Sequence, residues 1–201
     1  MEGGRFTVAG DRIEAATMIM ATAVTGGAIE LDGIALAELP EAQRQVLSDA
    51  GLILTSHDGS IRAAVGPGGL RAVRARTGPH PGLPTDTAPQ LAALLTRAAG
   101  TSHVFEAVYP RRDTHVAPLR AFGADITADG QEIRIHGPAR LRAAHVRAAD
   151  IRAVTALLIA ALAADGTSTI GGMYHLARGY GRLLPNLAAL GADITTTAAE
   201  A

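Results

Sequence analysis

The sequence contains no cysteine, which excludes disulfides, thiolate metal sites and a cysteine nucleophile. Aromatic residues make up only 3% of the 201 positions, so a core has to be assembled from alanine, leucine, isoleucine and valine. Net charge is almost absent, at −1, which gives no electrostatic reason to expect nucleic acid or an acidic membrane as partner. The longest apolar run, Ala153 to Ala164, is well short of the roughly 20 residues that a membrane-spanning helix needs. Met1-Glu2-Gly3-Gly4-Arg5 lacks the apolar segment of a signal peptide, so a cytoplasmic location is expected. Seven histidines are present, but none shows metal-ligand spacing. His80, His115 and His175 are isolated and read as hydrogen-bonded turn histidines. Gly66-Pro67-Gly68-Gly69 has neither the lysine of a P-loop nor dinucleotide spacing and reads as a plain loop. No Ser–His–Asp order with a nucleophile elbow appears.

What is present is apolar and arginine-rich. Hydrophobic residues reach 48%, enough to bury a sizeable core in a chain of this length. Arginine supplies essentially all of the positive charge, and its planar fork is the side chain best suited to grip carboxylate or phosphate.

The punctuation of the chain recurs. Asp11 opens a helix that stops at Gly26-Gly27. A strand follows over Ala28 to Leu31, then a helix ending at Gly51, then a hairpin turning at Asp58-Gly59. Asp86 opens the second pass, with a strand over Ser102 to Tyr109, a helix ending at Gly123 and a hairpin at Asp129-Gly130. Asp150 opens the third, with a strand over Thr167 to Tyr174, a helix over Arg178 to Leu190 and a final strand from Ala192-Asp193-Ile194. Asp11 to Gly51 spans 40 positions, Asp86 to Gly123 spans 37 and Asp150 to Gly191 spans 41. Such a constant interval marks stacked supersecondary units. The expectation is an α/β chain of one domain over 1–201, with units at roughly 1–70, 71–142 and 143–201. Its helices should pack together with the sheets outside.

Four stretches can carry chemistry. Thr77-Gly78-Pro79-His80-Pro81-Gly82-Leu83-Pro84-Thr85-Asp86 sets a carboxylate on a stiff corner between a strand at Ala72 to Arg76 and a helix. That carboxylate either caps the helix or serves a site. Tyr109 to His115, Asp150 to Arg152 and Tyr174 to Tyr180 lie at further strand-to-helix junctions. They bring Arg112, Arg152 and Arg178 to corners that a pseudo-symmetric fold would gather at one end. The set suits a small polyanion with one carboxylate as base.

At these residues the chain resembles the UDP-N-acetylglucosamine 1-carboxyvinyltransferase (enolpyruvyl transferase) family, of one superfamily with the shikimate-pathway enolpyruvyl transferase. The matching stretches are 10–17, 79–86, 149–152, 174–180 and 190–194, so nearly the whole chain is covered. The resemblance implies an inside-out α/β barrel domain of three βαβαββ repeats with helices inside. It implies transfer of an enolpyruvyl group from phosphoenolpyruvate to the 3′-hydroxyl of UDP-N-acetylglucosamine in peptidoglycan synthesis, with no cofactor. By the same resemblance Asp86 is the base and Arg178 lies near the phosphate of phosphoenolpyruvate. Arg112 and Arg152 grip its carboxylate, the Val108 backbone meets the sugar nucleotide, and Asp11 and Asp150 are corner aspartates.

The departures are Pro110-Arg111-Arg112-Asp113-Thr114-His115 where the family has Glu-Asn-Arg-Phe-Met-His, Ala177 for an aspartate and Gly181 for a glutamate. The family has two similar domains with the active site between them, and the sister domain has no counterpart in this chain. Three readings stay open: a half that works with a complementary N-terminal domain, a non-catalytic binding module, or a transferase for another acceptor. A face made to meet a sister domain also implies weak self-association.

Overall fold

The computed structural model describes residues 3, 4 and 8–197. Three helices form its centre. The first, α1 (Arg12–Val24), is capped by Asp11, whose Oδ1 accepts from the amides of Ile13 at 2.7 Å and Glu14 at 3.3 Å. The third, α3 (Ala88–Leu95), is buried at every position. The fifth, α5 (Ile151–Leu162), is buried from Ala153 to Ala160 and capped by Asp150 through the amides of Arg152 and Ala153. A helix that is apolar all round has to lie inside other structure. Alanines on these helices, including Ala16, Ala92, Ala93, Ala156 and Ala160, are essentially inaccessible. Small side chains bring the backbones close at no cost in rotamer entropy, and α1, α3 and α5 pack on one another.

Sheets cover this centre. Strands β1 (Ala28–Leu31), β2 (Leu52–His57) and β3 (Ser60–Val65) form an antiparallel sheet in the order β1-β3-β2. Asp58 and Gly59 both take positive φ at its hairpin, as a tight turn of this kind requires. A second sheet runs β4-β5-β7-β6, from β4 (Arg74–Arg76), β5 (Gly100–Phe105), β6 (Asp125–Asp129) and β7 (Glu132–Gly137). Its β4–β5 pair is parallel and the others antiparallel. Along β7, Ile133 and Ile135 are buried while Arg134 and His136 are exposed, so one face lies on the helices and the other meets solvent. Strands β8 (His145–Arg147) and β9 (Thr169–Gly171) form a parallel pair. Short outer helices α2 (Glu41–Asp49), α4 (Val116–Ala121) and α6 (Leu183–Ala189) complete the set. Among the described residues no helix is long and apolar enough to cross a membrane.

Several expectations are corrected. The strand expected over Ser102 to Tyr109 ends at Phe105, because the chain turns away to bond with the Glu106 carboxylate. The strand expected over Thr167 to Tyr174 is only Thr169–Gly171, followed by a 3₁₀ turn over Met173–Arg178. The break falls at Gly172, with φ 81°. The helix expected from Arg178 begins at Leu183, beyond Gly179 and Gly181. Ala192-Asp193-Ile194 forms no strand, and among the described residues it pairs with none. Thr195 to Ala201 carry no strong sequence pattern and would be expected to fray; of them, 198–201 lie outside the described residues.

The corner before Asp86 is tightly folded. Thr77 donates its amide to the Phe105 carbonyl, Gly78 to Leu83 and Gly82 to Pro79 at 2.7 Å. A Cβ added at Gly82 would stand 2.8 Å from the Pro79 carbonyl oxygen. Gly82→Ala therefore forces the corner open and should cost about 1–3 kcal/mol. Gly68→Ala, which meets nothing within 4 Å, should be near neutral. Urea denaturation of the two variants checks this; equal midpoints would show that the corner is slack.

Candidate functional site

The carboxylate of Asp86 does not cap a helix. A 3₁₀ turn over Thr85–Thr87 precedes α3, and neither it nor α3 has a side-chain cap. Its Oδ1 instead accepts from Arg112 Nη1 at 2.8 Å and from Arg152 Nε at 2.5 Å. The arginines lie 26 and 66 residues away in sequence. Arg112 is carried by the segment after β5 and Arg152 by the first turn of α5. Because a residue just before α3 meets one in the first turn of α5, both helices start at the same end of the molecule.

Each arm of the cluster is held from behind. Arg112 lies over the Tyr109 ring, 4.2 Å from its centroid. Thr114 donates its hydroxyl to Asp150 Oδ2 at 2.6 Å, while Asp150 Oδ1 takes the amides of Arg152 and Ala153 at 2.8 and 2.9 Å. Asp150 thus ties the Arg112 segment to the start of Arg152's helix. The Asp86 side chain remains 42% exposed, against 12% for Arg112 and 33% for Arg152, so the carboxylate stays open to solvent while its partners are more enclosed.

These contacts set the charges. Burial works to raise the Asp86 carboxyl, but the bonds from Arg152 and Arg112 outweigh it and hold the group below its usual range. Asp150 is likewise opposed by burial, yet Thr114 and the two helix amides keep it below the usual range. Around the Tyr180 hydroxyl, Thr17 Oγ1 lies at 3.2 Å and Gln90 Nε2 donates at 3.3 Å, joining α1, α3 and the 174–180 stretch. Burial foremost, then the Asp11 and Asp86 charges, push that phenol up against those bonds.

The other expected residues stand apart. Arg178 ends its 3₁₀ turn exposed, with no hydrogen bond or ion pair among the described residues. Asp11 is an exposed cap, and it lines a cavity of about 560 Å³ between α1, β1 and α6 with Glu14 and Arg182. Val108 is exposed, and its amide is already donated to Glu106 Oε1 at 2.8 Å. His115 is not a hydrogen-bonded turn residue as expected: it is fully buried, and neither ring nitrogen meets a polar partner among the described residues. His175 is buried in the same way.

Sequence reasoning missed Glu106, Gln90 and Thr17. Glu106 falls on the same strand face as Ser102 and Val104, both buried, and that parity was its available signal. The polar side chains of Gln90 and Thr17 on otherwise apolar helix faces were the only available signal for those two.

This fold is that of an enolpyruvyl transferase, and the chain belongs to the EPSP synthase (3-phosphoshikimate 1-carboxyvinyltransferase) family, which it matches over residues 1–187. It is 45% identical over 194 residues to UDP-N-acetylglucosamine 1-carboxyvinyltransferase of Rhodopseudomonas palustris (strain BisB5), covering 96% of this chain and 45% of that protein. The Afipia carboxidovorans protein of the same name is also 45% identical over 194 residues, with the same shares covered. Among solved structures, the enolpyruvyl transferase NikO from Streptomyces tendae superposes with a TM-score of 0.86 at 30% identity, over 94% of this chain and 44% of that one. EPSP synthase from Acinetobacter baumannii shares the fold, with a TM-score of 0.71 at 22% identity over 96% and 46%. The chain spans less than half the length of the curated relatives it matches.

His115 gives a prediction about acid stability. Burial pushes its pKa down from 6.5 to about 4, against the pull of Asp150 and Asp113. The unfolded chain takes up this proton near pH 6.5, whereas the folded chain resists it down to about 4. Stability therefore falls as pH drops through that window, by about 2 kcal/mol at pH 5. The Asp86 and Asp150 contributions have the depressed-carboxyl sign: they are present above the ordinary carboxylate range and are lost below it. His115→Leu should flatten the slope between pH 7 and 5 and leave the loss below pH 4. Denaturant titrations at each pH check this; an unchanged slope would show that other groups carry it.

Proposed function

We propose that the chain is the base-carrying half of a UDP-N-acetylglucosamine enolpyruvyl transferase. It would act with a complementary domain to move the enolpyruvyl group of phosphoenolpyruvate onto the 3′-hydroxyl of the sugar nucleotide, releasing phosphate. The observation that carries the reading is the meeting of Arg112 and Arg152 on one oxygen of Asp86, in a chain 45% identical to enzymes of that name. We read the architecture as an inside-out barrel of three units, roughly 1–70, 71–142 and 143–201. The support is the central packing of α1, α3 and α5 with sheets around them.

The geometry suggests how the parts act. Phosphoenolpyruvate brings a carboxylate, and two guanidinium groups are its natural partners. Asp86 occupies them in the ligand-free protein. Once the donor's carboxylate takes them over, Asp86 loses the bonds that keep it acidic, and burial moves its carboxyl upward. It then accepts the acceptor's hydroxyl proton as that oxygen adds to C2 of the donor and the C2=C3 electron pair takes up a proton at C3. Loss of a proton from C3 as the C2–O bond to phosphate breaks restores the double bond and releases phosphate. We assign Arg178, exposed and with no side-chain partner among the described residues, to the donor's phosphate by the family resemblance. Asp150 positions both arms through Thr114 and the α5 amides. The open carbonyl of Val108 and the Asp11 corner serve the acceptor side. A second reading, the same transfer to another acceptor, is favoured by the Pro110 to Thr114 segment, where Thr114 binds Asp150 in place of the family's methionine.

The test mixes the chain with a matching N-terminal half and follows phosphate release. Wild type should turn over, and Asp86→Asn should lower the rate by about a thousandfold. By calorimetry the same variant should bind phosphoenolpyruvate more tightly than wild type, because a competing carboxylate has gone. Folded halves with no phosphate release would favour a non-catalytic module. An Asp86→Asn variant with a normal rate would remove the base from Asp86.

A further inference from the structure

We infer that Glu106 is a positioning residue that holds the base arm and the arginine arm of the site together while both are occupied by ligand; this rests on the reading just given. Glu106 is 3% exposed, yet no arginine pairs with it among the described residues. Its carboxylate is satisfied by hydrogen bonds alone. Oε1 accepts from Thr77 Oγ1 at 2.9 Å and from the amides of Val108 and Tyr109 at 2.8 and 3.0 Å. Oε2 accepts from Thr85 Oγ1 at 2.7 Å. Thr77 in turn accepts from the Ala107 amide at 2.8 Å.

The donors come from the two segments that matter. Thr77 and Thr85 bracket the corner that ends in Asp86. Val108 and Tyr109 begin the segment that carries Arg112, with Tyr109 beneath the guanidinium. In the ligand-free protein the Asp86–Arg112 pair also joins these arms. Donor binding breaks that pair, at the moment when the spacing of base and arginine decides the reaction. A tie that touches no ligand is then needed, and Glu106 supplies it from the buried side. The displacement of one arm by about 1 Å is enough to cost a reacting geometry much of its advantage.

Two substitutions separate reach from charge. Glu106→Gln keeps the length and the Oε1 acceptor, and its amide can donate to Thr85, whose hydroxyl turns to accept. Glu106→Asp keeps the charge but is too short to serve both arms. With the chain as it stands, at a temperature where all variants are folded by circular dichroism, Glu106→Gln should bind phosphoenolpyruvate as wild type does. Glu106→Asp should bind it about tenfold more weakly. In Glu106→Asp the Val108 and Tyr109 amides should also lose hydrogen-exchange protection while those of α3 keep it. Wild-type affinity in Glu106→Asp, or unchanged protection at those two amides, overturns the inference. If wild type itself binds no phosphoenolpyruvate, the proposed function fails at its anion site. The amide exchange then still decides whether Glu106 clamps the two arms.

Discussion

Two guanidinium groups on one carboxylate oxygen are the interaction on which the candidate site of this molecule depends. Asp86, Arg112 and Arg152 come from three separate stretches, and their meeting fixes how the corner before α3, the segment after β5 and the start of α5 lie together. The contact is partly open to solvent, so its energy is small by the standard of exposed pairs. Its importance is geometric. What makes the geometry persist is the layer behind it: Thr114 on Asp150, Tyr109 under Arg112, and Glu106 across two loops. None of those side chains needs to touch a ligand.

The layer behind rests in turn on the close approach of α1, α3 and α5. Alanine at the contact positions lets three helices share a centre that larger residues would spread apart. Their shared centre puts Thr17, Gln90 and Tyr180 within hydrogen-bond reach. The polar trio lies inside an otherwise apolar core, where a polar group without partners would be costly. It locks one arrangement of α1, α3 and the 174–180 stretch, with the charges of Asp11 and Asp86 both acting on its phenol.

Much of this was legible in the chain, and what was not has physical causes. Asp11 and Asp150 read as caps and are caps, because the amides they need lie two and three residues away. Asp86 carries the same local signal, but arginines 26 and 66 residues distant take its carboxylate. Proximity of that kind is set by the tertiary fold and leaves no local mark. Glu106 shares the buried strand face of Ser102 and Val104, but only the fold reveals the four donors around it. His115 was misread because turn position suggests exposure, whereas α4 and the neighbouring loops close over it. The run Ala192-Asp193-Ile194 has strand composition but no neighbouring strand to pair with among the described residues, and composition alone makes no ladder.

The scarcity of aromatic side chains has an optical consequence. The chain has no tryptophan and three tyrosines: Tyr109 stacked with Arg112, Tyr180 in the buried polar trio, and Tyr174 beside His175 at a ring separation of 4.1 Å. All three belong to stretches that supply site residues, and none lies in the sheets or the outer helices. The near-ultraviolet absorption and emission of this protein therefore come almost wholly from these two stretches, 109–115 and 174–180. Its spectrum is a native reporter on those two stretches, free of the background that a tryptophan-bearing core would add.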